Sequence, residues 1–167
     1  MGMVFIGRAL SASELEAVRA DPVVASTLLF ADRFAEPVAD PHLRVDVDKA
    51  WHGIHYLLTG TVWERGDGLG AAILGGDPIA EDAGYGPPRL LDPETVSTVA
   101  EALTEVDVDA LRGRYDPAVM MAAGIYPDIW DEGDEPFDGY LAPNFLELRR
   151  FYQAAAAGGQ AVLVAIT

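Results

Sequence analysis

Short apolar runs near both ends of the chain set the first constraint on its fold. Met3 to Ile6 and Ala161 to Ile166 are apolar and partly β-branched, the pattern of buried strands. Both are read as members of one sheet. The residues between them carry helical spacing and helix punctuation, without the regular strand–helix alternation of a doubly wound sheet. The order therefore predicts an α+β fold: a single compact domain over residues 1–167, with a small mixed sheet that includes the N- and C-terminal strands and several helices packed on it.

The helices announce themselves through their ends. Ser11 and Glu14 have capping-box spacing, so each side chain can satisfy a free backbone amide of the other, and a helix over 12–20 follows. Pro22 stands where a second helix begins, bringing Val23, Val24, Leu28 and Leu29 toward the core. From Val47 to Thr59 a stripe of Val47, Ala50, Trp51, Ile54, Leu57 and Leu58 runs along one helical face, and Gly60 follows at the usual left-handed stop. Asp92-Pro93, Asp107 and Asp116-Pro117 cap three more helices. Pro143 starts the last, with Phe145, Leu148, Tyr152 and Ala155 inward and Gly158-Gly159 closing it. In the glycine-rich stretch 66–86, Ala71 to Leu74 reads as a short strand between turns, and Arg89 to Leu91 as another.

Charge narrows the function classes. Basic residues number 11 against 27 acidic, a formal net charge of −16, so the surface field repels phosphate backbones and anionic headgroups. Nucleic acid and membrane surfaces are thereby disfavoured as partners. No stretch approaches the ~18 apolar residues of a membrane span, the opening residues lack the pattern of a secretory signal, and there is no cysteine. A cytoplasmic setting is expected.

Several chemical motifs fail on inspection. Gly68-x-Gly70 needs a third glycine where Ile73 stands, which removes the dinucleotide fingerprint. Gly70 to Gly75 has phosphate-loop spacing, but Gly76-Asp77 replaces the lysine and hydroxyl residue that would hold phosphate and magnesium. No serine lies in a Gly-x-Ser-x-Gly elbow. No motif requires a cofactor or a metal. The acidic loop Asp128, Asp131, Glu132, Asp134, Glu135 and Asp138 is oxygen-rich, and Gly133 falls at the sixth place of a calcium loop begun at Asp128. Trp130 and Gly139, however, occupy the third and twelfth places, where ligands belong. A solvated surface loop is the plainer reading.

On the 47–59 helix, Asp48, His52 and His55 fall in one sector beside the apolar stripe. A carboxylate against an imidazole can fix its tautomer for general base work or metal ligation. The plainer alternative is a surface Asp48–His52 pair with His55 hydrogen-bonded at the core boundary.

Three segments carry a resemblance: Asp46 to Gly60; Gly75-Gly-Asp-Pro-Ile with Gly84-Tyr85-Gly86-Pro-Pro-Arg89; and Ala123-Gly-Ile-Tyr126-Pro127-Asp-Ile-Trp130. With the opening Met-Gly-Met and the final helix and strand, the chain is similar to the YfbM-like family of uncharacterised bacterial proteins over nearly its whole length. The resemblance implies a single α+β domain and brings no established activity with it. It adds Tyr85, Arg89, Tyr126 and Trp130, loop residues for which packing alone is a poorer explanation.

Two functions follow from these readings. In the first, the acidic loop of an interaction module meets a basic protein partner, as in an inhibitor or immunity protein. In the second, Asp48, Trp51, His52, His55, Tyr85, Arg89, Tyr126 and Trp130 line a cleft for a small molecule, as binder or enzyme.

Overall fold

The computed structural model describes residues 2–30, 40–82 and 84–167. Strand β1 (Phe5–Ala9) leads into α1 (Ala12–Ala20), and the predicted capping box closes it: Ser11 Oγ accepts from the Glu14 amide at 3.2 Å while Glu14 Oε2 accepts from the Ser11 amide at 2.8 Å. Then come α2 (Val23–Phe30), β2 (Arg44–Asp46), a 3-10 turn over Asp48–Ala50, and α3 (Trp51–Thr59), which Gly60 ends at φ 71°.

The run Ala71 to Leu74, read from sequence as a strand, is instead the short helix α4 (Ala71–Leu74). Four apolar residues carry too little period to separate strand from helix, and all four are buried. Gly75 caps this helix in an extended conformation, its amide on the Ala71 carbonyl, and a Cβ there would sit 2.5 Å from that oxygen. Strands β3 (Asp77–Pro78) and β4 (Arg89–Leu91) follow, then α5 (Pro93–Thr104), α6 (Val108–Arg114) and α7 (Pro117–Ala122). Their caps Asp92, Asp107 and Asp116 accept from the Thr95, Asp109 and Val119 amides. The last helix, α8 (Ala142–Ala157), is preceded by a π-helical turn over Phe137–Leu141 and leads to β5 (Val162–Ile166).

The five strands lie in the order β2-β1-β5-β4-β3. The two terminal strands pair directly, Gly7 opposite Val164, and every pairing is antiparallel where a mixed sheet was expected. Alternation along the strands serves two layers. Ile6, Leu163 and Ala165 face α1 and α2 with Leu10, Val18, Ala25 and Leu29. Phe5, Val162, Val164 and Leu91 face the larger core of α3, α5 and α8, with Trp51, Trp130, Phe151 and Tyr152. Gly7 makes room for α8: a Cβ there would meet the Phe151 ring at 3.1 Å. Among the described residues, no helix is long and apolar enough to cross a membrane.

Candidate functional site

The polar flank of α3 sits against the base of the acidic loop, and His52 makes the central contacts. Its Nδ1 is 3.0 Å from the Tyr126 amide nitrogen and its Nε2 is 3.0 Å from the Val62 carbonyl oxygen. An amide N–H only donates and a carbonyl only accepts, so these partners fix the neutral Nε2–H tautomer. Burial pushes the His52 pKa below 6.5, and the Val62 carbonyl offsets part of that shift. The ring stacks on Trp51 at 4.8 Å between centroids, and Trp63 lies 4.4 Å away on the other contact. Trp63 itself is 58% exposed.

His55 behaves differently from the boundary residue expected. It is 0% exposed, and among the described residues neither ring nitrogen has a hydrogen-bond partner. Burial first, and then the neighbouring His52, lower its pKa to about 4; the Glu64 backbone is near enough to oppose the shift without reaching hydrogen-bond geometry. Both imidazoles are thus neutral at ordinary pH.

Asp48 does not pair with His52. Its Oδ2 accepts from the Tyr140 hydroxyl at 2.6 Å, and that hydroxyl in turn accepts from the Lys49 amide at 3.0 Å. Asp48 has φ 49°, the one non-glycine residue with positive φ among those described, a conformation that aspartate tolerates better than most side chains. Its phenol partner stands on the π-helical turn, where one extra residue per turn re-aims a side chain. Burial, then the Asp48 carboxylate, push the Tyr140 pKa far up.

These bonds close the neck of the acidic loop. On one side, the Tyr126 hydroxyl accepts from the Met3 amide at 3.1 Å and the Tyr126 amide is held by His52. On the other, Tyr140 is held by Asp48. Between them Trp130 and Phe137 are buried, Trp130 Nε1 donating to the Ile125 carbonyl at 2.7 Å. Asp128, Asp131, Glu132, Asp134, Glu135 and Asp138 are all exposed. Asp138 forms an ion pair with Arg112, whose guanidinium also lies over the Phe137 ring. Tyr115 donates to the Gly133 carbonyl at 2.8 Å, and its pKa is raised by burial, with Asp134 and Glu132 adding to the shift.

The remaining candidates go elsewhere. Arg89 is buried in β4, donating to the Gly75 and Ile73 carbonyls at 3.1 and 3.0 Å, and burial with nearby Arg65 lowers its pKa to about 10. Tyr85 is exposed on a turn in which Asp82 Oδ1 accepts from the Gly84 and Gly86 amides at 2.6 and 2.9 Å. Trp130 belongs to the core. The structure therefore brings together Trp51, His52 and Tyr126, with His55 buried one turn further along α3, leaves Asp48 bonded to Tyr140, and directs the Arg89 and Tyr85 contacts elsewhere. Among the described residues no group of three or more His, Asp or Glu side chains could hold a metal ion. Clefts along α5 and α8 at Ser97, Glu101 and Gln153, and beside β3 at Arg19 and Ile79, contain none of the candidates.

Sequence reasoning missed Tyr140, Trp63 and Lys49. Tyr140 carries no local signal of its role, because its partner is 92 residues away. Trp63 could have been found as a large aromatic in a polar loop after a glycine stop.

A five-stranded antiparallel sheet covered by helices, with an acidic loop tied at its neck, defines the protein as an α+β domain with a pinned surface loop. A family model for a domain of unknown function, DUF1877, matches residues 1–165, and the chain belongs to that family. Among solved structures it is similar to the protein of unknown function YfbM from Escherichia coli, at 18% identity and a TM-score of 0.73, over 99% of each chain. At that identity the likeness establishes the fold. No curated protein matches the chain.

Proposed function

We propose that this chain is a protein-interaction domain whose acidic loop binds a basic protein partner. The observation that carries the reading is the exposure of all six loop carboxylates on a segment anchored inward by Trp130 and Phe137 and tied at its neck by Tyr126 and Tyr140. A loop held before the partner arrives has less ordering entropy to lose on binding. Alongside, α7 packs on the Trp130–Glu132 turn and exposes Val119 and Met121, at 48% and 43%, so apolar surface borders the charged segment. Apolar centre with polar rim is the usual anatomy of an interface. The net charge of −16 favours encounter with a cationic surface. An inhibitor or immunity-type role in a cytoplasmic setting fits this chemistry.

The test is capture of basic proteins on the immobilised chain, compared with a variant carrying Asp131→Asn, Glu132→Gln, Asp134→Asn and Glu135→Gln. Capture is expected to weaken with added salt and to be lost in the variant. Equal capture by both proteins removes the reading. The second reading, a small-molecule site, draws its support from the convergence of Trp51, His52 and Tyr126.

A further inference from the structure

We infer that His52 is a positioning residue for the acidic loop, and that protonating its ring loosens the loop and weakens binding of a basic partner. This rests on the acidic-loop reading above. The geometry is that of a two-ended clasp: Nε2–H holds the Val62 carbonyl of the loop after α3, and the Nδ1 lone pair holds the Tyr126 amide at the neck of the acidic loop. A protonated imidazole has two N–H donors and no acceptor. The Nδ1 proton would then face the Tyr126 N–H, donor against donor, and the contact between α3 and the neck could not persist.

No carboxylate contributes to the balance at the ring. The titratable groups on the elements packed around it are Asp48, Lys49, His55 and Tyr56 along the segment of α3 and the turn before it, Glu64 and Arg65 after Trp63, and Tyr126 and Asp128 at the neck; Asp48 is bonded to Tyr140. The first influence on the His52 ring is burial, the only opposing one the Val62 carbonyl. His55, three residues on and without hydrogen-bond partners, gains a like-charged neighbour if both rings protonate. The pairing is therefore built for the neutral state, and its loss lies below pH 6.5, the ordinary histidine value. Other contacts at the neck do not involve the imidazole: the Met3 amide to the Tyr126 hydroxyl, and the Trp130 indole to the Ile125 carbonyl. Protonation would consequently free one neck of the loop while leaving its buried anchors in place.

The experiment uses the full chain and a decalysine peptide. Nitrogen-15 NMR of the histidine rings first reports the His52 tautomer and its titration midpoint; peptide affinity is then measured on both sides of that midpoint for the wild type and for His52→Asn. Asparagine keeps an acceptor near the Nδ1 position and cannot be protonated, while both proteins share the same titrating carboxylates. The expected results are an Nε2–H tautomer and an affinity ratio of wild type to variant that changes across the midpoint. Relative to its value at pH 7.5, that ratio should fall about tenfold below the midpoint, the size of one hydrogen bond. Protection of the Tyr126 amide in the wild type, taken relative to the intrinsic exchange rate at each pH, should fall across the same midpoint, a readout that does not depend on the variant folding. An Nδ1–H tautomer overturns the inference. So does a constant affinity ratio, unchanged Tyr126 protection, or a ring that stays neutral until the chain unfolds. If the peptide binds the neutralised-loop variant as tightly as the wild type at pH 7.5, the acidic-loop reading itself has failed.

Discussion

The Tyr140 hydroxyl lies 2.6 Å from Asp48 Oδ2 and also accepts the Lys49 amide, so one phenol joins the π-helical turn to the first turn leading into α3. Tyr140→Phe removes both bonds while keeping the ring. The loss is expected at about 1 kcal/mol, held below the charge-assisted range because Asp48 is solvent-exposed. For a chain of this size that is a fall of roughly 2–4 °C in melting temperature. A melt identical to wild type would mean that water replaces the phenol at no cost.

The histidines make stability depend on pH. His55 has a folded pKa of about 4 against 6.5 unfolded, so between those values the unfolded chain binds more protons than the folded one. Stability is complete above pH 6.5 and declines as pH falls toward 4, by up to about 3 kcal/mol from this ring. Denaturant titrations at pH 7 and 5 should show the decline, and His55→Leu should reduce it.

Gly53 is the place where α3 meets the acidic loop's buried anchor. A Cβ there would lie 2.8 Å from Leu141 Cδ2 and 2.9 Å from Trp130 Cη2. Helix propensity alone favours Gly53→Ala by about 1 kcal/mol, but overpacking a filled core costs about 1–3 kcal/mol. Net destabilisation of roughly 1 kcal/mol is expected in a chemical denaturation curve; a gain in stability would show that Trp130 can shift freely.

Arg89 stands in β4 as a buried cation on two carbonyls at the end of α4. Arg89→Ala leaves the Gly75 and Ile73 carbonyls unpaired in the interior, and a loss of about 3 kcal/mol is expected from stranded polar groups together with lost packing. Binding of a basic partner by the protein that remains folded should be unchanged. An affinity change at full folding would assign Arg89 a part in binding after all.

Legibility followed the range of the interactions involved. The helix caps Ser11, Asp92 and Asp116 were readable because each satisfies an amide three residues away. β1 and β5 were readable as apolar ends, and their direct pairing in the register Gly7 to Val164 gives that reading its geometry. β2 and β3, of three and two residues, are too short to show alternation. α4 was misread because a four-residue apolar run has no resolvable period. At the candidate site, the side of α3 that bears His52 and His55 was visible as periodicity, but not what met it: Tyr126 reaches His52 across 74 residues and Tyr140 reaches Asp48 across 92. Composition displayed the acidic loop and was silent about its neck.

The division of labour inside that loop bears on how such a protein could change. Trp130 and Phe137 do the packing, whereas Asp128, Asp131, Glu132, Asp134 and Glu135 have exposed side chains outside the core. Substitutions at those five positions leave the packing of Trp130 and Phe137 untouched, so the charge that the loop presents can drift between related chains while the scaffold beneath it stays the same.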